Sequence, residues 1–174
     1  MNFEVTTLLK PENKRELAKY LLNEISELVK IEEIKGRIIF DKKFLQAILQ
    51  ELLYQDNENK NHYLKYIDFN GMVFDGIDVR GVNLEGTNAN IDPQTVSFKS
   101  LEYTNLKGID LSGKDFTGVT IENTTLENTG ALINKDEVKT FKQTEEVVGY
   151  YVFDNASETK ELKNYITKTL RIKK

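Results

Sequence analysis

Few residues in this 174-residue chain have side chains suited to catalysis. His62 is the only histidine and there is no cysteine, which excludes thiol nucleophiles, cysteine-based zinc sites and sites built on two histidines. Two pairs of adjacent acids, Glu32/Glu33 and Glu145/Glu146, have the chemistry for acid–base catalysis. Because adjacent residues point in different directions along a helix or a strand, we do not expect either pair to form one site.

Aspartates recur in the middle of the chain, at Asp68, Asp78, Asp110 and Asp115. Repeated carboxylates can bind calcium, but these lack the Gly-Gly-x-Gly-x-Asp rhythm of calcium-binding repeats. Each stands directly before a large apolar residue, where a short acceptor side chain can bond to nearby backbone and fix a turn. We therefore expect a structural role for the aspartates, and no catalytic residue, no metal and no cofactor in this chain.

Charge and hydropathy restrict the class of partner. The net charge is −4, and residues 65–138 hold 12 acids against 6 bases, which argues against direct nucleic-acid binding by that region. The apolar runs are too short to cross a bilayer, and the first residues do not have the pattern of a secretory signal. We expect a cytoplasmic protein without a membrane partner.

The first third of the chain has helical periodicity. Pro11 suits a first helical turn, and Asp41 is placed to cap a second helix. The polar residues 55–61 predict a loop. Residues 1–60 are expected to form a helical cap that packs on the middle of the chain. The apolar residues at helical spacing are Leu17, Leu21, Ile25, Leu28 and Val29, then Leu45, Ile48, Leu49 and Leu52.

The middle of the chain repeats every five residues, a period of neither a helix nor an ordinary strand. Glycine often stands two residues after the large apolar residue of each unit. The frame slips by two residues between Ala89 and Ile91, and the same slip recurs 42 residues later, between Ala131 and Ile133. Self-similarity of this kind indicates a solenoid, in which each turn is stable only in a stack.

If each unit forms one side of a roughly square turn, its large residue must point inward every time. The position two residues earlier also faces inward, and Ile67, Met72 and Ile77 there are apolar. The predicted solenoid core is formed by Phe69, Phe74, Val79, Leu84, Leu101, Leu106, Leu111, Phe116, Ile121 and Leu126.

Residues 65–138 resemble the pentapeptide repeat family, whose unit is a small residue, Asp or Asn, Leu or Phe, and two variable residues. The resemblance implies a right-handed quadrilateral β-helix with four units per coil. Lys99 and Lys114 depart from the pattern because they occupy the inward small position. We expect their stems to lie along the wall with the ammonium groups in solvent.

The expected fold is a mainly β solenoid with an N-terminal α-helical cap and a C-terminal strand–helix segment. Its parts are a cap over residues 1–60, the repeat β-helix over 61–138, and a strand and helix over 139–174. The last part is expected to cap the solenoid or to join two copies, so the chain is a monomer or a homodimer formed through its C-terminal segment.

Two functions agree with these features. The first is a non-catalytic interaction or scaffold module with an unknown protein partner. The second comes from the resemblance: some pentapeptide repeat proteins mimic DNA and modulate type II topoisomerases such as gyrase. The candidate partner-binding residues are Asp75 and Glu85 in the repeats, and Tyr54, Tyr63 and Tyr66 at the junction with the helices.

Overall fold

The described residues of the first third of the chain form two helices. Helix α1 spans Pro11–Ile31 and helix α2 spans Lys42–Asn59. As predicted, Asp41 caps α2, and its carboxylate accepts a hydrogen bond from the Phe44 N–H at 2.9 Å. Leu28 has the apolar spacing of α1 but is 48% exposed. The computed structural model describes residues 10–31, 36–134, 137–139 and 151–153.

The loop predicted for residues 55–61 begins later than expected, because α2 continues to Asn59. Gln55 and Asp56 are each 1% exposed. The Asp56 carboxylate accepts a hydrogen bond from the Tyr63 N–H at 2.9 Å, and burial raises the pKa of that carboxyl group. Tertiary burial therefore extends the helix through residues whose polarity suggested a loop.

The backbone of the repeat region pairs with itself at intervals of twenty residues, the length of four units. Parallel bridges join Ser100 to Thr120 and Asn105 to Thr125. Between them, the Leu101 N–H donates to the Thr120 carbonyl at 2.8 Å. Successive turns therefore lie side by side in parallel rows, held by isolated bridges rather than by long strands.

The large residue of each unit faces the interior of this stack. All ten residues of the expected core are at most 4% exposed. The rings of Phe69 and Phe74 meet edge to face, with centroids 6.0 Å apart. The position two residues earlier is also buried in many units, at Ile67, Met72, Val82, Ile109 and Val119.

The frame slip lies inside the stack and does not disrupt its packing. The bridge from Asn83 to Asn105 spans 22 residues instead of twenty, because the slip adds two residues to that turn. Both apolar residues of each slip are buried: Ala89, Ile91, Ala131 and Ile133.

Short polar side chains fix the turns between units. The Asp110 carboxylate accepts a hydrogen bond from the Ser112 N–H at 3.0 Å, and Asp115 accepts one from the Thr117 N–H at 2.8 Å. The residues with the same bond to the second following N–H are Asp68, Asp78, Asn83, Asp92 and Asn105. Asn88 precedes the slip and instead accepts a bond from the Phe69 N–H of another turn.

These turn bonds are expected to make folding depend on pH. The hydrogen bond from Ser112 lowers the pKa of Asp110, and that from Thr117 lowers the pKa of Asp115. A carboxylate whose pKa is lowered on folding stabilises the fold at pH values above its ordinary pKa of 3.8. This stability is lost as the pH falls through the lowered pKa. D110N/D115N keeps the acceptor oxygens without the titration, so its urea midpoint should fall less than the parent's between about pH 5 and pH 2.

The control for this comparison is Asp75→Asn, which removes an exposed carboxylate that accepts no such turn bond within the described residues. Burial raises the pKa of Asp56, so this group changes the stability with pH in the opposite direction. Its contribution is the same in every variant. If D110N/D115N and the parent lose stability equally on acidification, the turn aspartates do not carry the pH dependence.

Lys99 and Lys114 bond to polar side chains on the outer surface. The Lys99 ammonium donates to the Gln94 side-chain oxygen at 2.7 Å, and the Lys114 ammonium donates to the Asn90 side-chain oxygen at 3.3 Å. Lys99 is exposed, whereas the next residue, Ser100, is 3% exposed and faces inward. These two units therefore contain no buried, unpaired ammonium group that would destabilise the interior.

Helix α2 covers the open edge of the first turn with two glutamine side chains. The Gln46 amide donates to the Val73 carbonyl at 2.8 Å and accepts from the Val73 N–H at 2.9 Å. One helical turn later, Gln50 donates to the Asp78 carbonyl at 3.2 Å and accepts from its N–H at 2.8 Å. Each amide thus bonds to the edge as the backbone of another turn would.

The segment before α2 covers other parts of the same edge. Ile38 forms a parallel bridge with Ile67, where the Asp68 N–H donates to the Ile38 carbonyl at 3.0 Å. The Arg37 guanidinium donates to the Gly86 carbonyl at 3.0 Å. The first turn is therefore bonded to the helical region through several of its units.

The described residues at the end of the repeats and beyond include two short strands. Strand β1, Leu132–Asn134, pairs in parallel with strand β2, Tyr151–Phe153, which falls in the region predicted to be extended. The helix predicted after β2 lies outside the described residues. Neither α1 nor α2, the helices of the described part, is long and apolar enough to cross a membrane.

Candidate interaction surface

One side of the stack carries Arg80, Glu102 and Glu122 in neighbouring rows. The Gly81 N–H donates to the Glu102 carbonyl at 2.9 Å, and the Tyr103 N–H donates to the Glu122 carbonyl at 3.0 Å. Because side chains alternate along an extended row, these three point outward. The residues directly before them are 0% exposed: Val79, Leu101 and Ile121.

Aromatic residues stand at two corners of this side where neighbouring turns have glycine or asparagine. Gly76 and Gly118, each two residues after a core phenylalanine, have φ of 68° and 70°. Phe98 and Tyr103 hold corresponding positions after Val96 and Leu101, with φ of 60° and 58°. This backbone conformation costs an L-residue about 1–2 kcal/mol. Both side chains are nevertheless exposed, Phe98 at 71% and Tyr103 at 63%.

We name Arg80, Phe98, Glu102, Tyr103 and Glu122 the aromatic face. Its cation is already engaged: Arg80 donates twice to the Asp78 carboxylate, at 2.9 and 2.7 Å. This pairing lowers the pKa of Asp78 and raises that of Arg80. The Arg80 guanidinium also lies 4.4 Å from the centre of the Phe98 ring.

The two glutamates of the aromatic face form no ion pair within the described residues. Glu102 accepts a hydrogen bond from the Ser100 hydroxyl at 2.8 Å. Within the part of the chain that the structure describes, neither Glu102 nor Glu122 has a basic group within 4.0 Å. The face therefore combines two exposed rings with two carboxylates that form no direct ion pair among the described residues.

The three tyrosines proposed from the sequence lie in different settings. Tyr54 is exposed on α2, where it donates to Glu58 at 2.7 Å and lies 5.3 Å from the Arg15 guanidinium. The Tyr63 hydroxyl is 3.0 Å from the Ser26 hydroxyl of α1. Tyr63 and Tyr66 are half-buried against the core. Of the three, only Tyr54 is exposed, at 45%.

Asp75 and Glu85 belong to units two apart and share no contact. Asp75 is exposed. Glu85 lies 3.8 Å from the Lys107 ammonium, which lies 3.1 Å from Glu127 on its other side, so part of this acidity is neutralised. The Asn105 amide also donates to Glu85 at 3.0 Å. The structure does not bring these two acids into one site.

The aromatic face was missed because the sequence reasoning relied on residues that fit the repeat. The signal lay in two that do not: Phe98 and Tyr103 stand two residues after a large apolar residue, where many other units have glycine. The two amides that cover the edge, Gln46 and Gln50, were also missed. Their spacing places them on one helix face, but the sequence does not show what that face meets.

Among the described residues, no further candidate for a metal or acid–base site is found. His62 is exposed, and its Nδ1 lies 3.2 Å from the Asn83 amide nitrogen. No group of three or more His, Cys, Asp or Glu within the described residues is arranged to hold a metal ion.

Comparison with known proteins gives one match. Residues 100–129 match the family model described as pentapeptide repeats (8 copies). Neither the search of curated proteins nor that of solved structures found a match. The matched stretch contains Glu102, Tyr103 and Glu122 of the aromatic face, and the family implies a β-helix type of fold. Residues 100–129 of this chain are therefore similar to the pentapeptide repeat family.

Proposed function

We propose that this chain is a non-catalytic protein-interaction module whose repeats wind as a right-handed quadrilateral β-helix over residues 65–138. The bridges at intervals of twenty residues support four units per coil. The burial of the ten large side chains supports a continuous core. Such a stack is a rigid support for outward side chains, as an interaction site requires.

The proposed organisation keeps three parts: a cap over residues 1–60, the β-helix over 61–138, and a capping or dimerising segment over 139–174. The bonds of Gln46, Gln50 and Ile38 to the first turn support the cap. Pairing of β1 with β2 supports contact between the repeats and the C-terminal segment.

The observation that carries the proposed function is the exposure of Phe98 and Tyr103 at strained corners. Neither ring gains burial that offsets its backbone cost within the described residues. Exposed aromatic side chains on a rigid support are typical of binding sites, since they provide large contact area with little loss of rotamer entropy.

The double variant F98N/Y103N tests this function. The full-length parent and the variant are immobilised and used to capture proteins from extracts of the native host. We expect one protein that is bound reproducibly by the parent and is lost from the variant, because the two rings supply the central contact area.

Asparagine is the matched replacement because this chain already uses it at equivalent corners, Asn123 and Asn128, with φ of 53° and 57°. The variant should therefore melt at or above the parent temperature, which separates lost binding from unfolding. Equal capture by parent and variant would remove the aromatic face from the proposal.

The DNA-mimic alternative makes a different prediction in the same experiment. It requires capture of a type II topoisomerase through Asp75 and Glu85, with inhibition of supercoiling that is lost in D75K/E85K. On one side of the repeats, Lys107 lies between Glu85 and Glu127 and interrupts their negative charge. This arrangement favours the interaction module over the DNA mimic. Topoisomerase inhibition with that charge dependence would reverse this choice.

A further inference from the structure

The aromatic face also restricts the chemistry of its partner. Phe98 and Tyr103 are five residues apart, so their Cα atoms are separated by at most about 17 Å. A single short peptide segment can therefore contact both corners and the row between them. That row presents Glu102 from one turn, with Glu122 in the neighbouring turn.

The charge of the aromatic face is negative once its internal pair is counted. Asp78 neutralises Arg80 through two hydrogen bonds. Glu102 and Glu122 form no ion pair within 4.0 Å among the described residues, and Glu102 interacts with Arg80 only through its charge. A partner segment that covers the rings would also desolvate these carboxylates, which is unfavourable unless it brings positive charge.

The chain itself shows which cation suits these surroundings. Arg80 stacks its guanidinium over Phe98 at 4.4 Å and at the same time donates two hydrogen bonds to a carboxylate. A guanidinium is planar and has a fork of donors, so it can satisfy a ring and a carboxylate together, whereas an ammonium is a strongly hydrated point charge. Tyr103 lies next to Glu102 in sequence and offers the same combination without an internal arginine in place.

We propose that the aromatic face binds an arginine-bearing segment of a partner protein, with a guanidinium stacked on Tyr103 and paired with Glu102 or Glu122. This inference rests on the proposed interaction function and names the chemistry of its partner. It also separates the aromatic face from the acids proposed from the sequence, Asp75 and Glu85.

The test uses short fluorescent Gly/Ser-rich peptides that differ only at two positions, which carry arginine, lysine or citrulline. Binding to the full chain is measured by fluorescence anisotropy, and the site is located from NMR chemical-shift changes. The arginine peptide should bind about threefold to tenfold more tightly than the citrulline peptide, which keeps the planar shape without the charge. The lysine peptide should bind with intermediate affinity.

Two charge variants locate the effect. E102Q/E122Q removes two carboxylates of the aromatic face, and D75N/E85Q removes the same number of charges elsewhere on the repeats. We expect E102Q/E122Q and Y103N each to weaken binding of the arginine peptide by about threefold to tenfold. D75N/E85Q should leave its affinity within about twofold, because distant exposed charges are screened by salt.

Equal binding of the arginine and citrulline peptides, or no binding of the arginine peptide at millimolar concentration, would overturn the inference. Equal losses in E102Q/E122Q and D75N/E85Q would also overturn it, since the effect would then be general attraction to an acidic protein. Concentration-dependent self-association through Phe98 and Tyr103 would assign the face to a second copy instead. In the first two cases, capture that depends on Phe98 and Tyr103 could still support the interaction function with a partner of different chemistry.

Discussion

Leu111→Asp and Phe74→Asp are each expected to abolish cooperative folding. Leu111 is 0% exposed and Phe74 is 2% exposed, and both belong to the row of large residues that fills the stack. The change removes apolar burial worth about 1.5–3 kcal/mol. It also forces the new carboxyl group to remain neutral or to ionise without a partner inside the core.

The size of the second effect depends on the pKa of the introduced group. Burial raises the pKa of the introduced carboxyl group to about 7 or above, so the group is protonated in the folded core at pH 7. The gap between the ordinary aspartate pKa of about 3.9 and pH 7 then costs about 4 kcal/mol. The combined loss is therefore about 6–7 kcal/mol, against a total stability of about 5–15 kcal/mol for an ordinary domain. Circular dichroism during heating should show no cooperative transition, or one at a much lower temperature.

Two control variants separate the position from the chemistry of the change. Leu111→Met keeps the volume and polarity and should cost less than about 1.5 kcal/mol. Asn90→Asp adds the same negative charge on the outside, next to the Lys114 ammonium, and should change the melting temperature little. If both core variants melt cooperatively near the parent temperature, Phe74 and Leu111 do not face the interior in solution.

The interior was the most predictable part of this fold because a five-residue period leaves little freedom. A helix with that period would scatter Phe69, Phe74 and Val79 around its circumference, whereas successive sides of a turn can all point inward. The frame slip at Ala89 and Ile91 was also visible, since its recurrence forty-two residues later shows that the slip belongs to the repeat.

Features set by tertiary contacts were harder to predict. Asp56 is polar and lies in a breaker-rich stretch, yet it is buried at the end of α2, where it accepts a hydrogen bond from Tyr63. Leu28 fits the helical stripe of α1 but is largely exposed. Periodicity predicts which residues share a helix face, but the width of the surface against which that face packs depends on the rest of the fold.

The candidate site was only partly predictable for a related reason. Asp75, Glu85 and the three tyrosines were chosen by residue type, and neighbours that the sequence does not reveal change their availability. Lys107 neutralises part of the acidity at Glu85, and Tyr63 is half-buried. The more informative signal was an exception to the pattern, such as Tyr103 at a corner that favours glycine.

Side chains of helix α2 form hydrogen bonds with backbone groups at the edge of the first turn. A row of unpaired backbone groups at the end of a stack invites pairing with another chain. Gln46 and Gln50 each present a donor and an acceptor to one residue of that row, Val73 and Asp78 respectively. Leucine would offer neither group, and glutamate would offer acceptors alone.

We therefore expect Q46E/Q50E to destabilise the protein and to expose this edge. Each glutamate can still accept from the N–H of Val73 or Asp78, but it no longer donates to the carbonyl and places negative charge against it. The bonds of Gln46 and Gln50 are exposed, so the loss of each donor to a carbonyl costs about 0.5–1.5 kcal/mol, or about 1–3 kcal/mol together. Urea unfolding should show the loss as a lower midpoint, and size-exclusion chromatography should show concentration-dependent oligomers.

Lys43→Glu is the matched control, because it changes the net charge by the same two units on an exposed position of the same helix. A negative charge in the first turn of α2 is compatible with the helix dipole, so this control should keep the parent midpoint and oligomeric state. A general effect of charge would lower both variants alike, whereas loss of the edge bonds lowers only Q46E/Q50E. If the two variants have the same midpoint and both elute as the parent does, the amide bonds contribute nothing to covering the edge. The contacts at Ile38 and Arg37 would then have to protect the first turn.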